Sequence, residues 1–160
     1  MPIYGRFSGV RRGKEAEILW GDATLGAFPE ATRDMGAAMR CSALNEWTAC
    51  VFHLMRVLEH GLRTMATRFA VPFEVDSWHK VIKGIEDGIG ELRNKQGLTV
   101  KDRAEITYYS DAASQFRHFK DAWRNHVSHS REHYDGRDAA KVLAHVVEFM
   151  QHLAMPVSQN

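Results

Sequence analysis

The sequence predicts an all-α protein, an up-and-down helical bundle of four to five helices over residues 28–155, preceded by an irregular N-terminal arm over residues 1–27. Apolar residues recur at three-and-four spacing along several stretches long enough to be helices. No alternating pattern of comparable length competes for them. The helix-capping and helix-breaking residues fall between the periodic stretches: Pro72, the Asp76–Ser77 pair and Asp135.

The arm, "MPIYGRFSGVRRGKEAEILWGDATLGAF", has five glycines and no sustained period, with "AEILW" as its one short apolar group. Trp20, Leu25 and Phe28 are the residues expected to pin it to the body, and Arg11, Arg12 and Lys14 read as a solvated basic turn. From Pro29, which suits a first helical turn, one apolar stripe continues through Leu44, Trp47, Val51, Leu54, Leu58 and Leu62 to Phe69. A single helix of that extent would be about 60 Å long at 1.5 Å per residue, longer than a domain of this size is wide. A kink near Gly36 or a division into two helices is therefore expected. "DSWHKVIKGIEDGIGELRNK" carries Trp78, Val81, Ile82, Ile85 and Ile89 on one stripe. Its glycines at 84, 88 and 90 weaken it unless they allow close packing against the long helix. Ile106, Tyr109, Ala113, Phe116, Trp123 and Val127 mark the next helix, and "DGRDAAKVLAHVVEFMQHLA" follows an Asp135 cap.

Composition narrows the functional classes. Formal net charge is +1, so no global field steers the chain to nucleic acid or to an anionic membrane, and any RNA or phosphate binding must be local. No apolar run approaches the roughly 18–20 residues of a membrane span, and no signal sequence opens the chain, which leads us to expect a cytoplasmic protein. Cys41 and Cys50 fall in one apparent helix on opposed azimuths, too far apart for a disulfide. Both sit in apolar helical surroundings, so they read as small buried hydrophobes. A glycine-rich phosphate loop is also missing, since Gly84, Gly88 and Gly90 lie inside a helical pattern.

The chemistry concentrates in "AWRNHVSHSREHYDG", residues 122–136. His126, His129 and His133 stand three and four apart, a spacing that suits a metal, but zinc sites usually add a thiolate or carboxylate and Glu132 lies on another azimuth. No metal or cofactor is expected. His53, Glu59 and His60 form a second cluster, read as packed or surface residues of a bundle helix. Within "RNHVSH", Arg124 offers a permanently charged fork for phosphate oxygens, and His129 titrates near neutrality and can move protons between hydroxyls. These are the elements of metal-free RNA cleavage, in which a 2′-hydroxyl attacks the adjacent phosphorus. Arg124 and His129, five residues apart, stand about 140° apart on an ideal helix, whereas Asn125 and His129 share a face. Either the helix loosens near Val127 or the site is shared between two chains.

The stretch from Phe28 to Ala154 resembles the HEPN superfamily, helical domains of many prokaryotic toxins and defence ribonucleases. Their motif is an arginine, four to six residues and a histidine, commonly with a polar residue after the arginine. "RNHVSH" fits it with Asn125 in the polar slot, and "TACVFHLMRVLEHGLR", "FKDAWRNHVSHSREHY" and "AAKVLAHVVEFMQHLA" look like a bacterial branch of that group. The resemblance implies a homodimer whose two motifs face each other across a cleft. Arg124 and His129 would then be catalytic and Asn125 would orient the histidine or a phosphate. The implied reaction needs no metal and leaves a 2′,3′-cyclic phosphate and a 5′-hydroxyl. Arg117, Lys120 and Arg131 are the expected substrate-binding cations, helped by Arg137. The resemblance also implies RNA as substrate, and an antitoxin or a small nucleotidyltransferase as partner. Its alternative is a catalytically silent HEPN-like module for dimerisation or for binding a protein or small ligand.

Overall fold

The computed structural model describes residues 9–74, 77–128 and 133–155, the side chains of 9–13 and 125–128 excepted. Among these residues the chain is all-α, with no strand. Its helices are α1 (Gly9–Trp20), α2 (Asp22–Ala27), α3 (Thr32–Ala43), α4 (Trp47–Arg68), α5 (Trp78–Arg93), α6 (Val100–Ser128) and α7 (Gly136–Ala154), with a 3-10 turn at Pro29–Ala31. Among the described residues no helix is long and apolar enough to cross a membrane.

Over its described residues the arm is helical and not irregular. Residues 9–27 form α1 and α2, separated at Gly21, whose φ of 78° is open to glycine at little cost. The side chain of Trp20 is fully buried in the main core and Phe28 is nearly so. Gln151 of α7 donates to the carbonyls of Leu19 and Trp20 at 3.1 and 3.3 Å, which closes the end of α1. Tertiary burial thus overrides the weak local signal of a glycine-rich segment.

The long apolar stretch divides into two helices, at residues 44–46 and not at Gly36, which lies inside α3. Asn45 takes a left-handed φ of 61°, its amide donates to the Ser42 carbonyl, and the Glu46 amide donates back to Cys41 at 2.8 Å. This is a Schellman stop, for which asparagine is the second-best residue after glycine. It turns Leu44 out to solvent at 72% exposure, so that residue does not belong to the stripe. The same device ends α4, with Ala70 left-handed at 53° and the Val71 amide returning to Ala66. Cys41 and Cys50 consequently lie on α3 and α4, both as free thiols. Burial, followed by the neighbouring Cys41, pushes the Cys50 thiol up to about 11, so it is a poor nucleophile at neutral pH.

Helix α4 is the centre of the molecule and packs against α3, α5 and α7, while α6 lies mainly along α5. Leu54, Leu58 and Leu62, at i, i+4 and i+8, are fully buried and form the spine of the core with Phe116 of α6 and Met150 of α7. Asp135 caps α7, its carboxylate accepting from the Asp138 amide at 2.8 Å.

Two of the three glycines in α5 do allow a close approach, although to the segment after α4 and not to the helix itself. A Cβ at Gly84 would stand 2.8 Å from Val71 Cγ1, and one at Gly88 would stand 2.8 Å from Phe69 Cδ1. At Gly90 nothing lies within 4 Å. Gly90→Ala is therefore expected to raise stability by about 0.5–1 kcal/mol. Gly88→Ala should lower it by about 1 kcal/mol or more, because overpacking outweighs the same propensity gain. Urea unfolding of the two variants checks the opposite signs.

Candidate functional site

A groove of about 600 Å³ opens between α4, the start of α5 and the end of α6. Helix α4 contributes Phe52, Met55, Arg56 and Glu59, spaced i, i+3, i+4 and i+7 and hence on one face. Helix α6 contributes Lys120, Trp123 and Arg124, again at i, i+3 and i+4, and Ser77, Trp78 and His79 close the third side. Three cations and one carboxylate thus share a cleft whose floor is aromatic and thioether surface.

The cations differ in how they are held. Arg124 is exposed and, among the described residues, makes no hydrogen bond or ion pair. Lys120, largely covered, pairs with Asp121 at 3.0 Å. That hydrogen bond, joined by the charges of Lys120, Arg117 and Arg124, outweighs the opposing effect of desolvation and holds the Asp121 carboxyl below its usual range. Arg56 donates through Nε to both oxygens of Asp34 on α3, at 3.2 Å each. Asp34 is one of the two buried polar or charged residues among those described, and its Oδ1 also lies 2.8 Å from His53 Nδ1. An ionised carboxylate can only accept, so Nδ1 of His53 carries the proton of that bond. His60 Nε2 stands 3.9 Å from the other oxygen. Burial would raise the Asp34 pKa, but the His53 hydrogen bond and the charge and hydrogen bond of Arg56 outweigh it, and the carboxyl stays below its ordinary value.

Trp123 is fixed from behind. Tyr134 stacks on it with rings 8° from parallel and centroids 6.2 Å apart, and the Tyr134 amide donates to Thr48 Oγ1 at 3.0 Å. Burial, then the charge of Asp138, raises the Tyr134 phenol above its usual range. At Gly136 a Cβ would stand 3.1 Å from the Trp47 ring, so the chain entering α7 lies directly on the first turn of α4. Trp123 near the end of α6 is thereby linked through Tyr134 to the helix that forms the opposite wall of the groove.

The structure brings together part of what the sequence singles out. Arg124 and Lys120 both line the groove, and Asn125 follows Arg124 within α6, its side chain outside the described set. His129 and Arg131 lie outside the described residues. Helix α6 runs through Val127 to Ser128, so among the described residues the helix is unbroken at Val127. Arg117 does not reach this groove. It pairs with both carboxylate oxygens of Glu86 and ties α6 to α5, because its azimuth faces α5. His53, Glu59 and His60 do not form one cluster: the two histidines turn to Asp34 and Glu59 faces the groove. Arg56 and Phe52 went unnoticed in the sequence, and Trp78 was read there only as part of the α5 stripe. Only the i, i+4, i+7 spacing of Phe52, Arg56 and Glu59, an aromatic and two opposite charges on a helix otherwise rich in core residues, signalled Arg56 and Phe52.

A second cleft of about 620 Å³ runs between α6 and α7, with His118, His145, Glu148 and His152 in its walls. Among the described residues no group of three or more histidines, cysteines or carboxylates is placed to hold a metal ion. Arg124, the motif residue whose side chain is described, does not line this cleft.

Fold and groove define an all-α protein with a cationic, aromatic-lined groove onto which the first residue of the "RNHVSH" motif opens. Compared with protein-family models, with curated proteins and with solved structures, the chain has no significant match.

Proposed function

We propose that this protein is a metal-independent endoribonuclease of HEPN type, acting as a cytoplasmic homodimer in a toxin or phage-defence setting and restrained by an antitoxin or nucleotidyltransferase partner. One observation carries the reading. Arg124 lies exposed on a groove that also presents Arg56 and Lys120 as phosphate-binding charges and Trp78 and Trp123 as surfaces on which bases stack. In this reading α3–α7 supply the bundle of four to five helices, and α1 and α2 are additions to it.

The chemistry follows from the residue types. His129 takes the proton of a ribose 2′-hydroxyl, whose oxygen attacks the neighbouring phosphorus. The bond from phosphorus to the 5′-oxygen breaks, and the leaving oxygen receives a proton from a protonated histidine. Arg124 balances the charge that builds on the non-bridging oxygens, and Asn125, four residues before His129, orients the imidazole or a phosphate. The products are a 2′,3′-cyclic phosphate and a 5′-hydroxyl. Arg124 and His129 stand about 140° apart on an ideal helix, and α6 stays helical through Ser128, which supports a site composed from two chains.

The test is incubation of the purified protein with end-labelled total RNA in EDTA, beside His129→Ala, with identification of the product ends. Cyclic-phosphate products that disappear in the variant are expected. No cleavage by folded, dimeric protein across a panel of single-stranded RNAs favours the second reading, a catalytically silent HEPN-like binding module. That reading draws on the same groove, since its aromatic and cationic lining suits a bound nucleotide as well as a cleaved one.

A further inference from the structure

The nuclease reading counts Arg56 among the cations of the groove but does not say how that wall is built or which phosphate it would take. On that wall Arg56 has an unusual mooring. Its Nε is committed to both oxygens of Asp34, and among the described residues no hydrogen bond engages its two terminal nitrogens. Its side chain is 49% exposed, and the residue lines the groove. Asp34 is itself held in place, 7% exposed on α3, by His53 Nδ1 at 2.8 Å. The result is a guanidinium anchored from behind by a buried carboxylate, with its fork of donors left for an anion in front. A lysine has a single nitrogen, which a bond to Asp34 would hold at the carboxylate, whereas arginine spends Nε on the mooring and keeps a separate planar fork. Arg56 is also close to the aromatic surfaces of Phe52 and Trp78 that line the same cleft.

We infer that Arg56 is a second phosphate-binding residue of the groove, seating a phosphodiester next to the one held by Arg124, and that Asp34 and His53 are its positioning residues. This rests on the nuclease reading, and it makes the ligand a single strand laid across the groove from α6 to α4, with a base stacked between its two phosphates. Lys120 and Arg124 on one wall and Arg56 on the other give such a strand positive charge at both ends. A preorganised fork costs less side-chain ordering on binding than a free one, which is what the Asp34 bond supplies.

The experiment uses a short single-stranded RNA whose ribose 2′-hydroxyls are replaced by hydrogen, so that it binds without being cut, and follows fluorescence anisotropy over a salt series. Cleavage of the matching RNA is measured in parallel. Arg56→Gln is expected to weaken binding about tenfold and to reduce the salt slope by about one. Arg56→Lys should keep the salt slope yet still bind and cleave several-fold less well, since it keeps the charge and loses the mooring. Asp34→Asn should weaken binding several-fold with the slope unchanged, a pattern that simple loss of stability does not produce when the melt shows the protein folded at the assay temperature. Wild-type binding or cleavage with an unchanged Arg56→Gln variant overturns this inference and leaves the nuclease reading standing. An Arg56→Lys variant equal to wild type overturns the positioning role. Wild-type protein that neither binds nor cuts overturns both readings.

Discussion

Arg124→Ala is expected to slow RNA cleavage by about a thousandfold, the scale on which removing a positively charged donor to a transition-state phosphate acts. The same change should leave folding almost untouched. Arg124 is exposed and holds no hydrogen bond or ion pair among the described residues, so its removal falls in the class of surface substitutions worth less than about 0.5 kcal/mol. The two expectations together separate a catalytic from a structural arginine. Arg124→Lys keeps the charge without the bidentate fork and should recover only part of the rate. Single-turnover rates on an RNA of defined sequence, beside thermal melts of the same preparations, measure both. A variant that melts like wild type and cuts at the wild-type rate removes Arg124 from the chemistry. A mixture of Arg124→Ala and His129→Ala chains adds a test of the composite site. If Arg124 of one chain works with His129 of the other, the mixed dimer keeps one intact pair and regains part of the activity, although each variant alone is inactive.

The helical class was legible because burial here is written at helical spacing. Val81, Ile82, Ile85 and Ile89 of α5 and Phe116 of α6 are all buried, and they are among the residues whose periodicity marks those helices. The break between α3 and α4 was harder to locate. Leu44 has the right residue type and spacing to continue the stripe, whereas the signal that ends α3 is a single asparagine able to adopt a left-handed φ. The arm was misread for a related reason. Gly9, Gly13 and Gly26 are carried inside helices by the burial of Trp20 and Phe28, while among the described glycines of the arm Gly21 alone marks a break.

The site was legible along one helix and opaque between helices. Lys120 and Arg124 are four apart on α6 and must share a face, so the sequence is enough to pair them. Arg117 also belongs to that helix, but its direction is decided by Glu86 on α5, a partner that local spacing does not reveal. Arg56 and Trp78 meet Arg124 only because α4, α5 and α6 converge at one end. Asp34 was invisible for the same reason: an acid in the first turn of a helix reads as favourable end charge, and nothing local shows that His53 and Arg56, a turn of chain and a helix away, close over it.

Asp34→Ala should destabilise the protein by about 2–3 kcal/mol. The variant deletes a nearly buried acceptor of three hydrogen bonds and a joint between α3 and α4. The figure sits below that for a fully buried ion pair because Arg56 and His53, with side chains 49% and 29% exposed, regain water when the carboxylate is gone. For a chain of this size the melting temperature should fall by roughly 5–10 °C. Asp34→Asn, which keeps the volume and one acceptor, should cost less. The pH dependence has a definite sign. The folded-state pKa of Asp34 lies below its ordinary value of 3.8, so the folded state binds this proton less tightly than the unfolded chain does. Its contribution is therefore fully present above about pH 4 and is lost as pH falls from there through the folded-state value. Denaturant unfolding of wild type and Asp34→Ala should show a constant gap from neutrality down to about pH 4 and a narrowing gap below it. If the gap instead stays constant well below pH 3, or is absent at neutrality, the carboxylate does not clasp α3 to α4, and the mooring of Arg56 loses its foundation.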